Sequence, residues 1–183
     1  MHRPKKYLVP ALLVIFASLA MPRIIVFAQV ELRVVHVLYP HDCPVDLRGL
    51  RVAEMPVEPQ KPFEAGEGWL KDLSWEIENT WEKPTAYIEV NLDFHGLARL
   101  EDSAFKYQYG QVPNKSGEVE ATKLLRPGQR TRMIISDEQY ERIKSFIREK
   151  QPDFTISVVE MKVSKVVFED GTIWPRRQKN ERL

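Results

Sequence analysis

Residues 73–94 read LSWEIENTWEKPTAYIEVNLDF, and the fold class rests on how that stretch alternates. Leu73, Trp75 and Ile77 point one way, and Ser74, Glu76 and Glu78 the other. After a break, Ala86, Ile88, Val90, Leu92 and Phe94 alternate with Tyr87, Glu89, Asn91 and Asp93. A side-chain period of two is that of a strand with one dry face and one wet face. A slip of one residue would put Glu89 and Asp93 in the core, so the alternation also fixes register. Asn79 tolerates turn geometry and Pro84 cannot donate to a ladder, so 79–84 is predicted to be the turn of a hairpin. Sheets with one wet face are mostly antiparallel.

Further strands follow outward from this pair. Val30 to Leu38 alternates loosely, Leu32 and Val34 against Arg33, and is expected to be a short strand or an extended arm. Leu47 to Met55 predicts a strand through Leu50 and Val52, and Pro56, Pro59 and Pro62 an exposed extended crossing. Phe105, Tyr107 and Tyr109 give a strand with an aromatic face. Pro127 and Gly128 occupy the centre of a type II turn leading into a strand from Arg130 to Ile135. Ser136 with Gln139 forms a capping box for a helix, and Tyr140, Ile143, Phe146 and Ile147 make its packed stripe. Phe154, Ile156 and Val158 alternate in one frame and Val159, Met161 and Val163 in the other. That switch predicts a bulge turning the strand toward the neighbouring sheet. Asp170-Gly171 marks a two-residue hairpin, with Ile173 and Trp174 opening the return strand. The whole predicts a mainly β chain: an immunoglobulin-like antiparallel β-sandwich with one short amphipathic helix at about 136–150.

The amino terminus carries a basic head, His2, Arg3, Lys5 and Lys6, and an apolar run from Leu8 to Ala20. Residues 1–28 are therefore expected to be an export signal cut after Ala28, with Ala20 the alternative. Pro10, Pro22 and Arg23 break the run short of the ~20 residues of a spanning helix. An uncleaved inner-membrane anchor is the competing reading, and the only membrane association expected. Residues 29–46 are assigned to an N-terminal strand or arm, 47–174 to the sandwich, and 175–183 to a basic disordered tail. Loss of Arg3, Lys5, Lys6 and Arg23 leaves 23 of the 27 basic residues against all 26 acidic ones. A net charge near −3 gives no basic field for nucleic acid. With Cys43 the one cysteine, no internal disulfide is possible. Such an exported domain must hold together by its core alone or pair Cys43 with another chain.

Four phrases together carry a resemblance: Trp69-Leu70-Lys71-Asp72-Leu73; Asn79 with Lys83-Pro84; Arg126-Pro127-Gly128; and Val167-Phe168-Glu169-Asp170-Gly171-Thr172 with Trp174. The chain from Leu47 to Trp174 resembles a group of exported bacterial proteins, of uncharacterised function, with immunoglobulin-type sandwiches. The resemblance implies fold and a secreted or periplasmic location, and brings no catalytic residues. That group has a small polar residue between the positions of Asn79 and Lys83, where this chain has Thr80 and Trp81.

No catalytic constellation emerges. Glu76, Glu78, Glu89 and Asp93 would meet across the hairpin, but on its wet face, where nothing raises a carboxyl pKa. His36, His41, Asp42 and Cys43 are metal-ligand types without a compact ligand spacing, between Pro40 and Pro44. No metal or cofactor is expected. Asn114-Lys115-Ser116 matches a glycosylation sequon, in a predicted surface loop. The contact candidates are Trp81, placed by the pattern in a turn, and Tyr107 and Tyr109. The reading is a non-catalytic protein-interaction or envelope-accessory module rather than an enzyme. A carbohydrate-binding module using Trp81 and nearby aromatics for an envelope glycan is the alternative, and a metal-dependent or hydrolytic enzyme the least favoured.

Overall fold

A computed structural model describes residues 30–97, 105–113 and 124–175. The expected signal segment, the sequon match and residues 176–183 of the expected tail lie outside them. β5 (Leu73–Asn79) and β6 (Thr85–Phe94) have the dry faces their alternation predicts, with Leu73, Trp75, Ile77, Ile88, Val90 and Leu92 all buried. They do not form a hairpin. β5 pairs with β2 (Val45–Val52) and β8 (Arg130–Ile134), and β6 with β7 (Phe105–Gly110) and β9 (Val158–Phe168). Residues 80–84 therefore cross from one sheet to the other as an arch. Alternation reports which face is dry, not which strand lies alongside, and here the backbone groups that would close a hairpin are taken elsewhere. The Asn79 amide donates to Gln129 O, that of Thr80 to Pro44 O, and that of Thr85 to Leu125 O.

The first sheet runs β4 (Pro62–Ala65), β1 (Glu31–Leu38), β9, β6, β7, with β10 (Ile173–Trp174) also beside β9. The second runs β3 (Met55–Pro56), β2, β5, β8. Their inner faces share one apolar core, the arrangement of a β-sandwich. Fully burying a Leu- or Ile-sized side chain contributes roughly 1.5–3 kcal/mol. The tight cluster of Trp75, Ile77, Ile88, Leu92 and Met161 can therefore hold the layers together without a disulfide.

Three strand readings are corrected. Residues 31–38 form a full strand of the first sheet, and β1 runs parallel to β9, the one exception to antiparallel pairing among the described strands. Its inward set is Arg33, Val35 and Val37, while Leu32 is 64% exposed, so the pattern was out of phase because a charged residue occupies an inward position. The frame change at Val158–Val159 marks the start of β9, not a bulge. The bulge lies at Ser164, where Glu89 faces Lys165 and Val90 faces Val163, and β9 stays in one sheet. Tyr87, expected on the wet face, is buried too: it stays outside the core, bonded to Glu89, with the Lys165 ammonium 5.7 Å from its ring.

The local signals for turns and helix hold. Gly128 has φ 73° and the Gln129 amide donates to Arg126 O at 2.9 Å. The β9–β10 loop is three residues, Glu169-Asp170-Gly171, rather than two, with Gly171 at φ 79°. α1 (Asp137–Lys150) starts at the capping box of Ser136 and Gln139 and buries Ile143 and Ile147. Gln139 Oε1 also accepts from the Tyr107 hydroxyl at 2.7 Å, and Phe146 meets Phe105 edge-on, so the cap and stripe both fasten the helix to β7. No helix among the described residues is long and apolar enough to cross a membrane.

Candidate contact surfaces

The arch is organised by Asn79, which is fully buried. Its Nδ2 donates to Lys83 O and Leu125 O, both at 2.8 Å, and its Oδ1 accepts from the Trp81 amide at 3.0 Å. An amide side chain has the donors and acceptor to serve three backbone groups at once, two of them, Lys83 O and the Trp81 amide, outside the Thr85–Leu125 bridge. Trp81 is thereby held at the crest. Its ring lies flat on Phe168, 5.4 Å between centroids and 15° between planes, and it keeps 40% of its surface exposed. Beside it the Lys83 ammonium binds the Asp170 carboxylate and sits 6.0 Å from the Phe168 ring. The Lys83 hydrogen bond, helped by those from Thr172, holds the Asp170 carboxyl well below its usual range. Arch and β9–β10 hairpin therefore meet in one corner, with one indole face covered and the rest turned outward.

The tyrosines do not join Trp81 there. Tyr107 is 3% exposed, its ring edge-on to Trp75 at 5.1 Å, so it belongs to the core and is withdrawn as a contact residue. Tyr109, two residues on, is half-buried against the same core. An aromatic strand face reads the same in sequence whether it looks inward or outward.

The four acids are parted as well, because the arch sends their strands to different layers. Glu78 lies on the second sheet, 2.7 Å from Arg48 and 2.9 Å from Arg130. Glu89 lies on the first, accepting from Ser164 at 2.8 Å and Tyr87 at 3.1 Å. His41 pairs with Asp42 at 2.6 Å on the surface. His36 instead stacks on His95, 5.8 Å between centroids, and His95 Nε2 lies 3.2 Å from Glu160 Oε2. Among the described residues no three His, Cys, Asp or Glu side chains converge as a metal-holding group. Burial pushes the Cys43 thiol up to about 11, so at neutral pH it is protonated and a poor nucleophile.

A second surface has no counterpart in the sequence reading. β1 and β10 lie end to end along the same side of β9: β1 stops at Leu38 opposite Lys162, and the near end of β10 is Trp174 opposite Val166. Between them opens a groove of about 430 Å³. Pro40 and His41 form one wall, Trp174 and Pro175 the other, and Asn91, Asp93, Glu160, Lys162 and Ser164 line its base. These residues come from separate stretches of chain, so no motif announces them. Comparison with family models, curated proteins and solved structures gave no match.

Proposed function

We propose that the chain is an exported, non-catalytic interaction module that meets a protein partner through Trp81. The observation that carries the reading is the indole itself: 40% exposed, yet fixed by the Phe168 stack and the arch bonds of Asn79. A large amphipathic ring already held in place loses little freedom on binding, which is why tryptophans dominate interface energetics. The Lys83–Asp170 pair supplies a polar rim. The protonated Cys43 and the separation of the acids onto opposite sheets favour binding over catalysis.

The basic head and apolar run within residues 1–28 support export, to a secreted or periplasmic location. The pairing order supports an immunoglobulin-like reading: β2–β5–β8 faces β7–β6–β9–β10, an arch joins the two central strands, and the helix lies on the crossing from β8 to β9. β1 is then an addition to that plan.

The test is affinity capture from envelope extracts with wild-type protein and a Trp81→Ala variant of unchanged unfolding midpoint. Wild type is expected to retain a partner that the variant loses. Equal capture by both would remove Trp81 from the interface.

A further inference from the structure

We infer that the groove between the ends of β1 and β10 is a binding site for a neutral, hydroxyl-rich saccharide, distinct from the Trp81 corner. Its origin is topological. Two strands share one side of β9, and the bulge at Ser164 falls where neither covers it. The side chains around this break are consequently left uncovered by either strand. A volume of about 430 Å³ falls in the range of small-molecule sites, about 300–1,000 Å³.

The chemistry selects the ligand class. Trp174 is half-buried against the core and paired through its backbone with Val166, so its indole is a seated wall. Such a ring accepts the C–H face of a sugar while its surroundings take the hydroxyls. On the base, Asp93 lies directly across from Glu160, and Asn91 across from Lys162. The Ser164 hydroxyl, whose one proton goes to Glu89 at 2.8 Å, lies 3.0 Å from the Asn91 amide, which has both donor and acceptor to offer. Glu160 Oε2 faces His95, leaving Oε1 to accept. Two carboxylates, an amide and an ammonium thus offer both donors and acceptors, as vicinal hydroxyls require. The balance of charge argues against ions. Asp93 and Glu160 repel a phosphate or carboxylate, and Lys162 offsets one of the two carboxylates and so weakens the pull on a cation.

The experiment is calorimetric titration of the full chain with cellotriose, chitotriose, mannotriose and galactotriose, with choline and inorganic phosphate as charged probes. At least one neutral trisaccharide is expected to bind saturably. Asp93→Ala and Asn91→Ala, on the wet face, should each weaken it about tenfold or more, a loss of roughly 1.4 kcal/mol. Trp174→Ala should abolish binding, and Trp81→Ala should leave it unchanged, which separates this site from the protein-partner surface. Absence of binding to all four sugars, tighter binding of choline or phosphate, or sugar binding indifferent to Asp93→Ala and Asn91→Ala would each overturn the assignment. The two base variants decide the matter even if Trp174→Ala fails to fold.

Discussion

The Asn79 side chain donates to the carbonyl of Leu125 at 2.8 Å, across 46 positions of sequence, and so joins the crest of the arch to the segment that enters β8. Thr85 and Leu125 exchange backbone hydrogen bonds of 2.9 and 2.8 Å immediately beside it. The change of sheet between β5 and β6 is thus held by one buried amide.

Asn79→Ala strands the Lys83 carbonyl and the Trp81 amide and removes one of two donors from the Leu125 carbonyl, which keeps the Thr85 amide. Each buried group left unsatisfied costs about 1–3 kcal/mol. Part of the arch is wet, so a total of about 2–4 kcal/mol is expected by urea unfolding. Asn79→Asp should do no better, since a carboxylate offers no donor for the two carbonyls. An Asp variant as stable as wild type would show that the donor bonds are dispensable.

Arg33 is 1% exposed, 3.0 Å from Glu31, and donates to Ile156 O and Ser157 Oγ at 3.1 and 3.2 Å, while its Nε has no acceptor. A buried guanidinium with an idle donor carries a desolvation cost that an apolar side chain of similar length avoids. Arg33→Met is therefore expected to match or exceed wild-type stability, and Arg33→Ala to lose about 2–3 kcal/mol through the cavity it leaves. Guanidinium unfolding midpoints decide it. Equal loss in both variants would mean that the polar bonds, not the packing, secure β1.

Asp170 carries a carboxyl depressed by Lys83, so its contribution is present above the unfolded carboxylate value and lost as pH falls through the folded one. The pair is half-exposed, and the effect is small. Wild type should exceed Asp170→Asn in unfolding midpoint at neutral pH. The gap should narrow once pH drops below about 4. A gap that persists undiminished in strong acid, where the Asp170 carboxyl is protonated, would show that its charge is not the source of the difference.

At the alkaline end, burial pushes the Tyr107 hydroxyl up, and burial with the neighbouring Glu89 pushes Tyr87 up to about 12. A raised folded-state value means the stabilisation is complete below the unfolded tyrosine value near 10 and is lost as pH rises beyond it. Ultraviolet titration of the folded protein should show Tyr87 and Tyr107 ionising last, together with a falling unfolding midpoint. Tyr87→Phe and Tyr107→Phe should remove that late phase from the curve. Ionisation of all tyrosines in one step near 10 would contradict the burial of both.

Sequence alone determined what depends on near neighbours. The two-residue period of 73–94 set the dry faces of β5 and β6, Pro127-Gly128 set a turn, and Ser136 with Gln139 set the helix start. Each follows from steric preference or a bond spanning a few residues. The tertiary structure decided what depends on pairing between distant segments. It split the expected hairpin between two sheets, turned Arg33 and Tyr107 inward, and set β1 parallel to β9. It also left the groove that Trp174, Asp93 and Glu160 line. Those choices follow from which backbone edges find partners and which side chains fill a shared core. Such long-range free energies leave no period or motif along the chain.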